Sequence, residues 1–496
     1  MTDKQRNPTI GERLDSFIGV FSPQKALERK MARIQLRYAS GYEGAELSRN
    51  SAGWHPVTGS GEAINATSRD MARARARDLE RNSDVVNSVI NAFTRNVVGK
   101  GFMLQVRTEN EEWNNQLENL WQEWCRPGNC DVTGRYSLNE VLKLIVRRRL
   151  VDGGVLAIKT IDKSVKIPYQ LQLTEVDCLD APGTLTASNG NPIVGGIEVN
   201  SVGKAQGYWV KQYDLETYVQ QDPVRIPADR VFYLADHARI SEVREISPLV
   251  RTVNTIRDLD EFFDATGFKQ KITAATAAFI TTAANAGAAV GSSLLARNNN
   301  DVKTKDGDAK RIVPGSITEL KPGQDIKTLV PTGQASEFAE FNLASMRRIG
   351  ASYGLSYEMT SRDVSKVNYS SARQNMLEDW KVFESEQQYL IEHFLNFVFA
   401  DVVDAAILAG RINPPKDYYQ RKESYLKHEF LGQGLPWIDP QKEAQANTIL
   451  LQSGQSNLKA LYARKGLDWE EELRQLANEQ KLMQELGLQK GEKDNE

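Results

Sequence analysis

From residue 67 to 101 the apolar positions fall three and four apart, with Val85, Val89, Ile90 and Phe93 on one face. That spacing predicts an amphipathic helix, ended by Gly99. Upstream, "SPQKALERKMARIQLRYA" has helical character with Pro23 in a favourable first-turn position. Residues 1–22 read as a polar, flexible tail, and residues 41–66, rich in Gly, Ser and Asn, as a loop. From Phe102 to Tyr233 strands and helices mix. "FMLQVRT", "GVLAIKTI", "YQLQLTEVD", "GGIEV", "GYWVKQY" and "RVFYLAD" read as strands punctuated by Pro and Gly. Among them "SLNEVLKLIVRRRLVDGG" predicts a helix opened by a capping box, Ser137 with Glu140. Strands and helices mixed in this way predict an α+β fold with one core.

After Pro248 the pattern turns helical again and grades into small residues over 273–289. A weakly patterned polar segment, 285–310, precedes strand-like pieces at "KRIVPGSITEL" and "QDIKTLVP", and a helix returns at "ASEFAEFNLASMRRIGASYG". The result is a helix out, a small irregular module, and a helix back. A short polar stretch follows, with Ser361, Arg362, Asp363, Ser365, Lys366 and Asn368 crowded together. It leads directly into a long helix predicted to start at Ser371, where Ser371 and Gln374 make a second capping-box pattern. Met376, Trp380, Phe383, Leu390, Ile391, Phe394, Val398, Val402 and Ala405 recur at helical steps. Carried to Ala409 the helix would be about 58 Å long, with Trp380, Phe383 and Phe394 packing into the α+β region. Beyond it come short helices: Asp439 and Pro440 start one, Gly454 and Gly466 stop others, and Asp468 caps the last.

Composition narrows the function. The 496 residues are 40% hydrophobic and 26% charged with net charge −3, which fits a globular chain of several domains without an overall basic field. Arg69, Arg73, Arg75, Arg77 and Arg81 crowd one helix. They suggest either nucleic-acid contact or, the reading preferred here, a solvated or intersubunit face paired to acids such as Asp70, Asp78 and Glu80. Three cysteines, Cys125, Cys130 and Cys178, make no even disulfide framework and favour a reducing compartment. The start carries no apolar signal segment, residues 394–410 are interrupted by Asn396, Asp401 and Asp404, and residues 272–296 are too weakly apolar to insert. No membrane association is expected.

Enzyme chemistry finds little support. "GGIEVNSVGKA" has the wrong spacing for a Walker A loop and places Ala205 where Ser or Thr should meet Mg²⁺. "HEFLG" at His428 and Glu429 lacks the second zincin His, and Cys125 and Cys130 lack a second ligand pair. His55, His237, His393 and His428 are scattered, and no nucleophile elbow occurs. No catalytic residue, metal site or cofactor is therefore expected.

"SYEMTSRDVSKVNYSSAR" resembles the motif of the lambda-type portal (head–tail connector) proteins of tailed bacteriophages, through Tyr357, Glu358, Thr360, Asp363, Ser365, Asn368, Tyr369, Ser370, Ser371 and Arg373. "ARARDLERN" (Arg75, Arg77, Asp78, Leu79, Arg81, Asn82), "VVGKG" (Gly99, Gly101), "WIDPQKEAQA" (Trp437, Asp439, Pro440, Lys442, Glu443) and "GLDWEEE" (Gly466, Asp468) extend the likeness in consistent order over roughly residues 35–480. One departure stands out: the family usually follows its Arg with Gly near "RISEVREISPL", whereas Glu245 follows Arg244 here.

The resemblance implies a twelve-fold ring at one capsid vertex, a channel for double-stranded DNA packaged by the terminase motor and later ejected. It also implies a platform for head-completion and tail adaptor proteins, contact with major capsid and scaffold proteins, and a place in the virion after assembly in the host cytoplasm. It divides the chain into a tail (1–22), an α+β wing (23–240), a first stem helix region (241–285), a clip that the terminase large subunit docks on (286–335) and a second stem helix (336–356). A tunnel loop (357–370), a long wing helix (371–412), a connection (413–436) and a helical crown with its tail (437–496) follow. The small residues over 273–289 would let stem helices approach closely. Within the tunnel loop, Ser361, Arg362, Asp363, Ser365, Lys366 and Asn368 would face the duplex. Competing readings are a metal-dependent nuclease acting on DNA and a non-portal capsid or tail adaptor.

Overall fold

The computed structural model describes residues 17, 18, 20, 22–25, 28, 29, 31, 56–212, 221–274, 278–282, 324–328, 335–365, 367–435, 440–486 and 488. It divides into two units, residues 1–60 and 61–496. In the first, the described residues from 17 to 31 are helical apart from Ser22.

The second unit opens with helix α1 (Gly61–Ala66), inside a stretch expected to be a loop. Tertiary partners explain it. The Glu62 carboxylate accepts from the backbone N–H groups of Val243 and Arg244 at 3.0 and 2.9 Å and pairs with Arg69 at 2.6 Å. The helix expected over 67–99 is interrupted. α2 (Arg69–Asn82) and α3 (Asp84–Phe93) are separated by Ser83 in extended backbone, and a π-helical turn, Thr94–Val98, completes α3. The side-chain amide of Asn87 donates to the Glu80 carbonyl at 2.7 Å, an acceptor near the end of α2, and to the N-cap carbonyl of Ser83 at 3.0 Å. Gly99, at φ 52°, ends the turn as expected.

The arginine face matches the solvated, locally paired reading only in part: Arg75 and Arg81 are exposed, and Arg81 lies 3.8 Å from Asp78. Arg69 and Arg73 are buried, and Arg77 is largely covered between Asp152 and Asp177 at 2.7 and 3.0 Å. Asp70 does meet Arg73, at 2.6 Å, but Glu80 instead holds Arg147 and Arg148. At the centre lies Glu245, fully buried, between Arg244 and Arg73. The position that departs from the family pattern is thus the acceptor that neutralises two buried arginines.

Strand β1 (Met103–Val106) is followed by α4 (Glu111–Trp124), a helix not singled out from the sequence. Asn110 caps it through the Trp113 N–H at 3.1 Å, and Trp113, Leu117, Leu120, Trp121 and Trp124 line its buried face. α5 (Leu138–Asp152) shows the expected capping box. Gly153 ends it at φ 91°, where a side chain would meet the Ile246 carbonyl.

β2 (Gly154–Ile161), β3 (Tyr169–Glu175), β4 (Ile193–Val194), β5 (Ile197–Val199), β6 (Ala205–Val210), β7 (Val224–Pro227) and β8 (Val231–Ala235) form two antiparallel sheets, ordered β3-β2-β8 and β4-β5-β6-β7. β2 is central, and "GVLAI" is apolar without interruption because both its faces are covered. Val155 and Ala157 join the main helical core, whereas Leu156 and Ile158 face a second cluster with Cys178, Ile197, Tyr208 and Val231.

α6 (Val253–Ala274) and α7 (Ala335–Ser352) are the outgoing and returning helices. Phe262 meets Phe338 and Phe341 at ring separations of 5.6 and 4.6 Å, and Phe263 meets Phe338 at 4.9 Å. Between them β9 (Ala278–Thr282) pairs antiparallel with β10 (Gln324–Thr328), Ile280 opposite Ile326. The small-residue stretch over 273–289, expected as helix–helix contact, is therefore a strand at 278–282. Its β-branched and aromatic centre, Phe279 to Thr282, favours an extended partner over a helix. "QDIKT" is the strand expected; residues 283–323, including "KRIVPGSITEL", lie outside the described residues.

α8 (Tyr357–Ser361) precedes α9 (Tyr369–Leu390), which runs through a π-helical turn, Ile391–Leu395, into α10 (Asn396–Leu408). This is the long helix of the sequence pattern, and Phe383, Leu390, Phe394, Val398, Phe399 and Val402 are its core face. Phe383 sits edge-on to Phe93 at 5.4 Å and Phe394 edge-on to Phe232 at 5.2 Å, so the expected packing into the α+β region holds; Trp380 is partly buried beside Phe383. α11 (Lys422–Tyr425) leads to β11 (His428–Leu431), which pairs with β1, Leu104 opposite Phe430. α12 (Pro440–Gln452), α13 (Leu458–Ala463) and α14 (Trp469–Glu485) follow, with Gly454 and Gly466 at positive φ and Asp468 capping α14. Asp439 lies outside the described residues. No helix among the described residues is long and apolar enough to cross a membrane.

Candidate functional site

The polar stretch before the long helix is built on a short, tightly held root. Ser356 caps α8, its hydroxyl accepting the Met359 N–H at 3.2 Å. The same hydroxyl, and the Ser356 N–H, donate to the carboxylate of Asp379 on α9, each at 2.6 Å. Burial raises the Asp379 pKa, and the two Ser356 hydrogen bonds pull against that shift. Thr360 is fully buried, and its carbonyl accepts from Ser88 on α3 at 2.6 Å. Gly350 faces it: a Cβ there would lie 2.5 Å from the Thr360 hydroxyl, so only glycine lets α7 approach this closely. Neither Ser356 nor Asp379 was singled out from the sequence. The signal was a serine three residues before the Met359 N–H, but its carboxylate partner lies 23 residues on.

The connector proper is shorter than the polar stretch. Tyr357 to Ser361 are helical, and the long helix begins at Tyr369 rather than Ser371. Asn368 is the cap, its side chain accepting the Ser371 N–H at 2.9 Å. Gln374 donates to Glu378 instead of completing a capping box. Asn368 takes the extended backbone that a cap requires, at φ −79° and ψ 160°.

Within the connector, Arg362 is the one non-glycine residue at positive φ among the described residues, at 63°. It ends α8 in the left-handed conformation usually left to Gly or Asn. Ser361 donates to the Tyr357 carbonyl at 2.8 Å and accepts the Asp363 N–H at 3.2 Å. Asp363 accepts from the Ser365 N–H at 2.9 Å and from the Tyr357 hydroxyl at 3.3 Å. Glu358 accepts from Asn375 at 2.9 Å, tying α8 to α9. Asp363 therefore spends its charge organising the turn, while Arg362 is exposed beside it; Lys366 lies outside the described residues. Of the remaining motif positions, Tyr369 packs under Lys442 at 5.1 Å, Ser370 is exposed in the first turn of α9, and Arg373 lines a separate cavity of about 580 Å³. The motif thus brings Tyr357, Ser361, Asp363 and Ser365 into one turn but points Arg362 and Arg373 to different places.

A family model described as "Phage portal protein, lambda family" matches residues 47–387, more than half of the chain and all of this root and connector. The chain belongs to the lambda family of phage portal proteins. The "Probable portal protein" of Halomonas phage phiHAP-1 is 25% identical over 461 residues, covering 90% of this chain and 87% of that protein. "Portal protein B" of Escherichia phage lambda is 21% identical over 488 residues, covering 91% and 92%. A solved structure described as "Neck of empty GTA particle computed with C6 symmetry" shares 14% identity at a TM-score of 0.43, over 81% of this chain and 99% of that one. In this portal-family chain the other signature pieces have identifiable physical work: Arg77 ties α2 to Asp152 and Asp177, and Gly99 and Gly101 take positive φ after the π turn.

Proposed function

We propose that this chain forms a twelve-subunit ring at one capsid vertex, the channel through which double-stranded DNA enters under the terminase motor and later leaves. Family membership supports the class. The observation that carries the mechanism is the connector over residues 362–368, pinned at one root by Ser356, Asp379 and Ser88 and at the other by the Asn368 cap, with Arg362, Val364 and Ser365 exposed between them. A short segment fixed at both ends can reach toward a passing duplex without closing the hole. One exposed arginine, with Asp363 engaged in the turn, gives contacts that are few, sequence-blind and sensitive to salt.

In this reading α6 and α7 are the stem, and residues 286–335 the clip that meets the terminase large subunit. The α+β region is the wing, and the helices after residue 437 are the crown. Capsid, scaffold and adaptor proteins contact the outside of the ring, and the assembled protein resides in the virion. Each subunit then buries two different faces, one against each neighbour, and such heterologous contacts close by rotation. Negative-stain imaging with mass determination by light scattering tests it: the reading requires closed rings with a central hole, and a chain that stays monomeric or dimeric at every salt and protein concentration refutes it.

A further inference from the structure

Arg362 does not stand alone. It shares a concavity of about 750 Å³ with Ser88, Asn91, Thr94, Arg95, Gly99, Lys100, Lys143 and Gln433. Four of those nine lining residues are cationic and none is acidic. They arrive from separate elements: Arg95 on the π turn, Lys100 just after Gly99, Lys143 on α5 and Arg362 at the end of α8. The π turn and the positive φ of Gly99 shape the floor, because a Cβ at Gly99 would fall 1.3 Å from the Gln433 side-chain oxygen. Gln433 itself is anchored, its carbonyl accepting at 3.1 Å from Gln387, which also takes the Asn96 and Val97 carbonyls that the π turn frees.

The contrast with the other cations near this core is what gives the concavity meaning. Arg69, Arg73, Arg77, Arg147, Arg148, Arg149 and Arg244 all meet a carboxylate. Arg95, Lys100, Lys143 and Arg362 make no ion pair among the described residues. Glu140, one turn before Lys143, is committed to the Ser137 capping box. Lys143 feels the Glu140 charge without forming an ion pair with it; in a chain of net charge −3, four cations around one hollow whose lining holds no acid focus a positive potential.

We propose that this concavity seats phosphates of the DNA backbone, extending the contact of Arg362 to a cradle of four cations. The proposal rests on the channel reading for its choice of duplex DNA. Arginine and lysine without a base-edge partner set read charge and spacing and carry no sequence preference.

The test uses assembled rings of the full chain and a short duplex followed by fluorescence anisotropy across a salt series. Arg95→Ala/Lys100→Ala/Lys143→Ala, with Arg362 intact, should lower the slope of log K against log salt by about 2.7, at ~0.9 for each lost phosphate contact. Two unrelated duplex sequences should lose equally. Removing three exposed cations elsewhere, Lys163→Ala/Lys204→Ala/Arg230→Ala, should leave the slope unchanged. Each single substitution in the concavity should remove about 0.9, which keeps the test decisive if the triple variant fails to assemble. A wild-type slope in all concavity variants overturns the proposal while leaving the channel reading intact. Variants that bind duplex normally but no longer close into rings overturn it too, in favour of an acidic surface of a neighbouring subunit. Lost duplex binding in the variants, with wild-type rings that never pass DNA, supports the cradle and refutes the channel.

Discussion

Replacing Glu245 with Ala should destabilise this protein by about 3–5 kcal/mol, the usual cost of stripping one partner from a buried ion pair. The carboxylate is fully buried and accepts from Arg244 at 2.8 and 2.9 Å and from the Tyr233 hydroxyl at 2.5 Å, with Arg73 at 3.5 Å. Arg244 cannot withdraw to water, because its guanidinium also donates to the carbonyls of Val176, at 2.8 Å, and Gly195. Removing Glu245 therefore leaves a cation that is only 4% exposed without the carboxylate its guanidinium is bonded to. Burial, the largest single influence, would raise the Glu245 pKa, but Arg244 and the Tyr233 hydroxyl together hold it below the ordinary carboxylate value. The sign follows: a depressed folded pKa contributes stability fully above the unfolded value of about 4.3, and that contribution disappears as pH falls through the folded one. Urea unfolding followed by tryptophan fluorescence should show a lowered midpoint for Glu245→Ala at pH 7, with a smaller deficit in acid. Arg244→Met/Glu245→Met should be more stable than the sum of the two single changes predicts. A loss below about 1 kcal/mol at pH 7 would put Glu245 among ordinary surface-like substitutions and refute the reasoning.

Phe394→Ala should cost about 3–5 kcal/mol by the same unfolding assay, since Phe394 is fully buried and edge-on to Phe232; unchanged stability would show that this face is not core. Arg362→Ala with Lys366→Ala should give normal rings by electron microscopy but impaired packaging or leakage of packaged DNA, and normal behaviour in both DNA assays would remove these charges from the mechanism. The native protein should resist thiol alkylation at pH 8, because burial pushes Cys130 up to about 12 and Cys178 up to about 11 and raises Cys125 as well. Mass spectrometry showing rapid labelling of any of the three without denaturant would contradict that.

What the chain settled locally, its residues announced. The capping box at Ser137, the helix stop at Gly99, the uninterrupted apolar run of β2 and the three-and-four spacing from Trp380 to Ala405 are short-range rules that neighbours in sequence suffice to state. The helix α4 is equally legible in the three- and four-residue steps of Trp113, Leu117, Leu120, Trp121 and Trp124. The connector before the long helix was visible as polar residues between two helical patterns, and its motif carried the family. Its interior was not visible: Ser356 needs Asp379, Thr360 needs Ser88, and Arg362 finds Arg95, Lys100 and Lys143, all brought in from distant positions.

The arginines of α2 make the division plain. Their composition foretold acidic partners, and periodicity could propose only local ones. Asp70 and Asp78 do meet Arg73 and Arg81, but tertiary structure adds Glu62, Asp152, Asp177 and Glu245 and buries Arg69 and Arg73, which sequence spacing had left in solvent. β11 shows the same limit, since four residues become a strand because β1, far earlier in the chain, offers its edge. Helix caps, helix stops and apolar spacing are set by near neighbours, so the sequence by itself announces them, whereas α1 forms in a stretch read as loop because Glu62 finds Val243, Arg244 and Arg69. Charge pairing, strand partnership and the shape of a hollow depend on which distant residues share a low-dielectric interior, and only the folded chain decides that.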